Sequence, residues 1–376
     1  MEGLKYWLWL TNVKGMGNVK VYRLLKHFKT PKEIWLADQN ALKGIARLSN
    51  EDIRHLNDKS LKKAEEIMQN MKASNIRAVT MQDAEYPERL KHIYSAPAVL
   101  YIRGQLKRQD LASVAIVGSR RASHYGRKVA EKLAYQLAER GITVVSGMAR
   151  GIDTSAHKGA LKTGQRSIAV LGCGVDIVYP KENREMMAYI AKSGAVLSEY
   201  CPGTPPNPQN FPARNRIISG LSLGTVVVEA GERSGSLITA DFALEQGRDV
   251  FAVPGNIDSY ASIGANNLIK QGAKLVSCVE DILEELPEQV AGDAAINNME
   301  LSHTNNSSKD IGYLKDMDLS SEEEEVIKYL SSEPLHIDAL CIQSGYNVQK
   351  LNAVLTLLEM RGIVNQLPGK RFVAII

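Results

Sequence analysis

The chain is poor in cysteine. Among its 376 residues there are four, none of them in a CxxC pair: Cys173, Cys201, Cys278 and Cys341. This scarcity argues against a paired-cysteine zinc site and against a disulfide framework. No run of twenty apolar residues occurs, and the opening stretch MEGLKYWLWLTNVKG has no cleavage-like site. We therefore expect no membrane span, no signal peptide and a reducing, cytoplasmic environment.

The sequence also lacks two common nucleotide signatures. It contains no GxGxxG dinucleotide fingerprint and no GxxxxGK[ST] phosphate loop. The sequence therefore lacks the strongest motif evidence for binding of NAD or a nucleoside triphosphate. Its composition is otherwise that of an ordinary globular protein, with 44% hydrophobic and 23% charged residues. We expect neither a cofactor nor a metal ion.

Positive charge is concentrated at the front of the chain. Lys and Arg outnumber Asp and Glu by 15 to 8 in residues 1–80 and by 24 to 21 in residues 81–286. They are outnumbered by 5 to 2 in residues 287–317 and by 8 to 5 in residues 318–376. An anionic partner is therefore expected on the first two segments.

Residues 1–80 are predicted to form an N-terminal helical domain. A glycine turn, Gly15-Met16-Gly17, precedes an apolar helical pattern, and Gly44-Ile45 marks a second, looser copy. Two helices joined in this way resemble a helix-hairpin-helix or SAM-like module, whose backbone N–H groups can hold a phosphate. A small helical bundle with glycine C-caps explains the same pattern equally well.

From Ser113 onward, apolar strands alternate with helices. Six strands end in glycine, a polar residue or a charge: SVAIVGSR, ITVVSGMARGID, SIAVLGCGVD, AVLSEY, GTVVVEAG and DVFAVPGN. Such strands predict a parallel sheet covered by helices on both faces. For residues 81–286 we predict an α/β domain with an extended Rossmann-like, doubly wound, mostly parallel sheet.

The end of the chain forms two further segments. Residues 287–317 lose all periodicity and are predicted to be a linker. In residues 318–376, Ser320 and Glu323 fit a capping box at the start of the first of three helical segments. The helices are followed by two short strands around the turn Pro368-Gly369-Lys370. Helices followed by a hairpin predict a winged-helix-like domain. Its candidate recognition helix offers only Lys350 and Arg361 as cations, so we expect protein contacts or weak DNA contacts rather than the main DNA reader.

The loops at the carboxyl edge of the predicted sheet carry cations and glycines. Ligands of open parallel sheets bind at this edge, where helix N-termini favour anions. Guanidinium groups suit phosphate, and cations on separate loops suit a ligand with several phosphates in a row. Phe211, in the stretch NFPARNRIISGLS, can stack on a base. The candidate cations are Arg120, Arg150, Lys181, Arg214 and Arg216.

Each candidate has a plainer explanation. An arginine near a helix start can pair with Glu199 or Glu229, and Phe211 can face the core. Asn215 is a natural capping residue, and His157 more often holds a turn than catalyses a reaction. The stretch around Phe211 has no histidine, cysteine or repeated carboxylate to suggest a nucleophile or a metal.

These residues resemble those of the DNA-processing protein A family (DprA, also called Smf), bacterial proteins of natural transformation. The resemblance covers roughly residues 80–280 and rests on the stretches VAIVGSRRAS, VVSGMARGIDTSAHKGAL, GQRSIAVLGCGVDIVYPKEN, GAVLSEYCPGTPPNPQNFPARNRIISGLS and VVVEAGERSGSLITADFALEQGRDVFAVPGN. It implies a protein that is not an enzyme, binds single-stranded DNA in a basic pocket and protects incoming strands. It also implies a homodimer that helps to load the RecA recombinase.

Carried onto matching positions, the resemblance implies ten DNA contacts. They are Gly118, Ser119, Arg120, Arg121, Arg150, Lys181, Phe211, Arg214, Asn215 and Arg216.

An enzyme class on a related sheet is the alternative. Nucleotide N-glycosidases of the lysine-decarboxylase-like family cleave nucleoside monophosphates and begin a strand with GGxGTxxE. The stretch GLSLGTVVVEAG keeps Gly224, Thr225 and Glu229, but Ser222-Leu223 replaces the glycine pair. The shifted carboxylate spacing leaves the catalytic acid unplaced, so we favour the binding protein.

Overall fold

A computed structural model describes residues 3–45, 47–287, 320–330, 334–360, 363–367 and 369–374. They fall into two compact units, one on each side of residue 300. Apart from Pro287, the predicted linker lies outside the described residues. None of the helices described is long and apolar enough to cross a membrane.

The first unit opens with helices that pack on one another. They are α1 (Leu4–Asn12), α2 (Asn18–His27), α3 (Pro31–Leu36), α4 (Gln39–Lys43), α5 (Asn50–Leu56) and α6 (Lys62–Ala73). The predicted turn between α1 and α2 holds Gly15 at a φ of 77°, which glycine adopts without steric cost. Lys20 on α2 pairs with Asp52 on α5 at 2.7 Å. Trp7 and Trp9 share one hydrophobic core with Tyr101 and Val196 of the sheet, so these helices are packed directly against the α/β region.

Nine strands between residues 77 and 275 form one sheet in the order β1-β2-β6-β5-β4-β3-β7-β8-β9. They are β1 (Arg77–Thr80), β2 (Val99–Gly104), β3 (Ser113–Val117), β4 (Thr143–Ser146), β5 (Ser167–Val170), β6 (Ala195–Ser198), β7 (Gly224–Val227), β8 (Asp249–Ala252) and β9 (Lys274–Leu275). Strands β3 to β9 pair in parallel, and β1 and β2 add an antiparallel edge. The six predicted strands are β3 to β8, which confirms the mostly parallel, Rossmann-like sheet.

Helices cover both faces of this sheet. They are α7 (Glu88–Lys91), α8 (His124–Glu139), α9 (Ile152–Lys162), α10 (Arg184–Ser193), α11 (Asn210–Leu221), α12 (Gly235–Glu245), α13 (Ile263–Lys270) and α14 (Glu280–Leu283). Leu133 and Leu137 of α8, one turn apart, lie in a core with β3 and β4, whereas Ile217 and Leu221 of α11 lie in the core on the other face. Each such side chain stabilises the fold by about 1.5–3 kcal/mol when fully buried.

The strand order creates a switch point between β3 and β7. These two strands are neighbours, but the chain continues from β3 to β4 on one side and from β7 to β8 on the other. The loops that leave their carboxyl ends therefore diverge and open a crevice, which is the usual ligand position in doubly wound sheets.

The second unit has the predicted winged-helix order. It contains α15 (Ser321–Lys328), β10 (Leu335–His336), α16 (Ile337–Ser344), α17 (Val348–Met360), β11 (Val364–Leu367) and β12 (Arg371–Ala374). The capping box of Ser320 and Glu323 is present. Strands β11 and β12 form the expected hairpin, with β10 added along β12. Gly369 and Lys370 turn with positive φ, and Pro368 lies outside the described residues.

Candidate functional site

A cavity of about 700 Å³ lies at the switch point. Its walls come from the turn after β3, the first turns of α11 and α12, and the loop between β8 and α13. A neighbouring pocket of about 190 Å³ shares Arg120, Arg121, Phe211 and Arg214 with it. The volume and the convergence of several loops are typical of a ligand site.

Close backbone packing shapes the turn after β3. A side chain at Gly118 would meet Ile152, and one at Gly151 would meet the carbonyl oxygen of Ser119. The Ser119 N–H donates to the Glu229 carbonyl at 2.7 Å, which ties this turn to the end of β7. The turn therefore holds Gly118 and Ser119 in the cavity wall and projects the next two residues outward.

Those two residues, Arg120 and Arg121, are exposed and line the cavity. Neither forms an ion pair within 4 Å with any residue that the structure describes. Both guanidinium groups thus stay available to a ligand, and planar donor pairs of this kind match the geometry of phosphate oxygens.

Phe211 contacts both a cation and a second aromatic ring. The Arg120 guanidinium is 5.2 Å from the centroid of the Phe211 ring, and the Tyr179 ring centroid is 5.4 Å from it. Gly172 makes room, because a Cβ there would approach Phe211 Cδ1 to 2.8 Å. Phe211 is half-buried and lines the cavity, so it keeps surface on which a base can stack. Tyr179 was not among the predicted residues, although it lies two positions before Lys181.

Arg214 is a buried residue that lines the cavity. It is 3% exposed, and its Nη1 donates to the carbonyls of Gly147, at 2.8 Å, and Val170. Burial lowers its pKa to about 10, so it stays charged at neutral pH. Its Nη2 makes no hydrogen bond to the residues described, while Asn215 beside it donates to the Gly235 carbonyl at 3.2 Å. Arg214 therefore joins the ends of β4 and β5 and presents charge to the cavity.

Arg216 does not line either pocket. It is buried, and its two terminal nitrogens donate to the carboxylate of Glu199 at 2.8 and 2.6 Å. Its Nε donates to the Ser95 carbonyl at 3.2 Å. The plainer explanation, pairing with Glu199, is therefore what the structure shows for this arginine.

Arg150 and Lys181 do not line the main cavity. Arg150 lines the smaller pocket and pairs with Glu182, and that hydrogen bond raises the pKa of Arg150. Lys181 is exposed and lines neither pocket. The main cavity thus brings together seven of the ten predicted residues: Gly118, Ser119, Arg120, Arg121, Phe211, Arg214 and Asn215.

Glu229, the carboxylate that the glycosidase alternative would need, is held elsewhere. It is 3% exposed, and its side chain accepts hydrogen bonds from the Ser123 N–H, at 2.8 Å, and the Ser123 hydroxyl. Ser123 is the N-cap of α8, so Glu229 supports a helix start. It does not line either pocket.

His157 is fully buried in α9 and is predicted to make the protein sensitive to acid. The Ser167 hydroxyl donates to the Val144 carbonyl and lies 2.8 Å from His157 Nδ1, so it accepts from Nδ1–H. Nε2 has no partner among the residues described. Burial lowers the pKa of His157 to about 3, so the buried ring is neutral at neutral pH.

Between pH 3 and 6.5 the unfolded chain binds more protons at His157 than the folded chain does. We therefore expect stability to fall as the pH drops from 7 to 4, and less so in His157→Leu. Burial raises the pKa of Asp153 to about 6, so below pH 6 this residue adds stability as the pH falls. Because Asp153 is present in both proteins, its contribution cancels when their pH profiles are compared. Urea unfolding followed by tryptophan fluorescence at several pH values measures the difference; parallel pH profiles would contradict the assignment.

Comparisons with known proteins show the family and the fold. The sequence profile described as DNA recombination-mediator protein A matches residues 77–287, and that of the DprA winged helix domain matches residues 315–370. Protein Smf from Synechocystis is 34% identical over 98% of both chains. The DNA processing protein DprA from Streptococcus pneumoniae is 50% identical over 53% of this chain and 71% of that protein.

Two solved structures have similar folds. DNA processing protein A from Streptococcus pneumoniae superposes with a TM-score of 0.56 at 40% identity, covering 72% of this chain and 98% of that one. The protein from Helicobacter pylori, described by its single-stranded DNA binding mode, gives 0.50 at 30% identity over 55% and 94% of the two chains. Because the family profile spans more than half of the sequence, this chain belongs to the DNA recombination-mediator protein A family, the DprA/Smf proteins.

Proposed function

We propose that this protein binds single-stranded DNA in the switch-point cavity and holds it without cutting it, as a step of DNA processing in natural transformation in the cytoplasm. The observation that carries the proposal is the pair of exposed, unpaired arginines, Arg120 and Arg121, beside the half-buried Phe211 ring. Cations bind the phosphates of a strand, and a ring binds a base that is free of its partner strand.

The Phe211 ring supports a preference for single strands. In a duplex the faces of the bases are covered by their neighbours, so a base reaches Phe211 only from an unpaired, flexible strand. The Helicobacter pylori relative, whose structure is described by its single-stranded DNA binding mode, supports the same ligand class. Fluorescence anisotropy with matched single- and double-stranded oligonucleotides tests this, and equal affinity for the two would contradict it.

Three finer roles follow from the family resemblance and are part of the proposal. The protein protects incoming strands, acts as a homodimer, and helps to load the RecA recombinase onto the bound strand. A nuclease-protection assay, sedimentation and a RecA filament-assembly assay on coated DNA measure these roles separately.

We also propose that the protein is not an enzyme. The engagement of both Glu229 oxygens by Ser123 supports this, since it removes the best candidate for a catalytic acid from the cavity. Release of free base from a nucleoside monophosphate would overturn it.

Phe211→Ala is expected to weaken single-strand binding by about 5- to 150-fold, since stacking contributes about 1–3 kcal/mol per base. The salt dependence should stay nearly unchanged, because stacking releases no counterions. Fluorescence anisotropy titrations at several salt concentrations measure both the affinity and its salt dependence. An unchanged affinity, or a flattened salt slope like that of an arginine variant, would exclude a stacking role.

Deletion of residues 318–376 is expected to leave most single-strand affinity in place. Within the described part of this unit, Lys350 on the candidate recognition helix is already paired with Glu322 at 2.7 Å; Arg361 lies outside the described residues. The cations of the cavity remain in the truncated protein. Loss of nearly all affinity in the same titration would make the winged helix the main DNA reader.

A further inference from the structure

A third aromatic side chain, Tyr260, lines the cavity from the loop between β8 and α13, in addition to Phe211 and Tyr179. It is 67% exposed, which is high for a large aromatic ring. Its ring packs over Gly231 after β7, where a Cβ would lie 2.8 Å from Tyr260 Cε1.

The loop that carries Tyr260 is fastened on both sides. The side chain of Asn266 accepts from the Gly255 N–H at 3.1 Å and donates to the Gly255 carbonyl at 3.0 Å. The Gly264 N–H donates to the Ala230 carbonyl at 2.7 Å. These hydrogen bonds hold the backbone of the loop that carries the ring before any ligand arrives, which lowers the entropy cost of ordering the loop on binding.

Phe211 and Tyr260 stand over different strands. Phe211 packs on Gly172, which follows β5, and Tyr260 packs on Gly231, which follows β7. Strands β4 and β3 lie between β5 and β7, so the two positions are three strand spacings, about 14 Å, apart. Stacked bases rise about 3.4 Å each, so positions this far apart favour contacts with different bases.

Other residues that line the same cavity suit a phosphate backbone. They are Arg120 and Arg121, together with Ser234, Gly235 and Ser236 at the start of α12. Building on the proposed function, we infer that Tyr260 is a second base-stacking platform. The cavity then takes a run of several nucleotides, with a base stacked near each end and phosphates over the arginines.

The test distinguishes an effect of the aromatic ring on DNA binding from an effect of the contact that Tyr260 makes with Gly231. Tyr260→Leu keeps an apolar contact with Gly231 but has no ring, whereas Tyr260→Phe and Tyr260→Trp keep one. We expect Tyr260→Leu to weaken binding of a single-stranded oligonucleotide by about 5- to 150-fold with little change in salt slope. The Phe and Trp variants should stay within about twofold of the wild type. Tyr189→Leu, an exposed tyrosine on α10 outside the cavity, is the matched control.

Photocrosslinking of an oligonucleotide containing 5-iodouracil gives an independent readout, with separate adducts expected at Tyr260 and at Phe211 or Tyr179. If Tyr260→Leu binds like wild type while Phe211→Ala is weakened, the second platform is wrong and the proposed function stands. If Tyr260→Leu, Phe211→Ala and the double variant Arg120→Ala/Arg121→Ala all bind like wild type, the cavity is not the DNA site. The second platform and the proposed function are then both wrong. Equal loss in Tyr260→Leu and Tyr260→Phe would also overturn the platform, because the ring would then not be the active feature.

Discussion

Arg216→Met is expected to lower the free energy of unfolding of the first unit by about 3–5 kcal/mol, because it leaves the buried Glu199 carboxylate without its cation. Both partners are nearly buried, and the two short hydrogen bonds between them join α11 to the segment after β6. Glu199 also accepts from Asn18 on α2 at 3.0 Å, so the uncompensated charge would lie where three segments meet.

Tryptophan fluorescence in a denaturant titration reports this loss, because Trp7, Trp9 and Trp35 all lie in the first unit. The double variant Arg216→Met/Glu199→Gln should recover much of the stability, since an amide still accepts from Asn18 but carries no charge. Arg140→Met, which breaks the exposed pair with Glu280, is the control and should cost less than about 1 kcal/mol. Normal stability with impaired DNA binding in Arg216→Met would instead restore Arg216 as a ligand contact.

The double variant Arg120→Ala/Arg121→Ala is expected to weaken single-strand binding on the order of 100-fold at 0.1 M salt, taking about 1.5 kcal/mol for each charge-assisted hydrogen bond. The slope of log affinity against log salt should flatten by about 1.4, since each phosphate contact on a single strand contributes about 0.7. Both side chains are exposed and unpaired among the described residues, so the fold should survive.

The matched control for that variant is Arg108→Ala/Arg140→Ala, which removes the same charge just before β3 and β4, at the opposite edge of the sheet. It should keep nearly full affinity. Equal losses in the two double variants would mean that DNA binds through the overall charge of the protein and not in the cavity.

The antiparallel edge strands show one limit of sequence reasoning. Strands β3 to β8 are recognisable because each is a short apolar run that ends in a turn signal and is followed by a helix. Strand β1, RAVT, is too short to show such a pattern, and it is a strand because it pairs with β2. Strand β2 in turn pairs with β6, which lies about a hundred residues away in the sequence. Such long-range pairing leaves no local pattern.

The arginines show a second limit. Arg214 and Arg216 are two positions apart at the start of the same helix, and the sequence treats them alike. In the fold, Arg214 faces the cavity and the carbonyls at the ends of β4 and β5, whereas Arg216 faces Glu199. Two residues along a helix turn a side chain by about 200°, so their faces differ, and which face meets a carboxylate depends on the packing of the whole helix.

By itself the sequence determined the family through its matching motifs, and the parallel α/β sheet and the winged helix through local periodicity and turn residues. It also predicted the edge of the sheet at which we propose the ligand site. Only the tertiary structure decided which cations remain free. It paired Arg216 with Glu199 and Arg150 with Glu182, left Arg120 and Arg121 open, and brought Tyr179 and Tyr260 to the cavity. The physical reason is that a charge or a ring acquires its role from neighbours that the chain brings together only on folding.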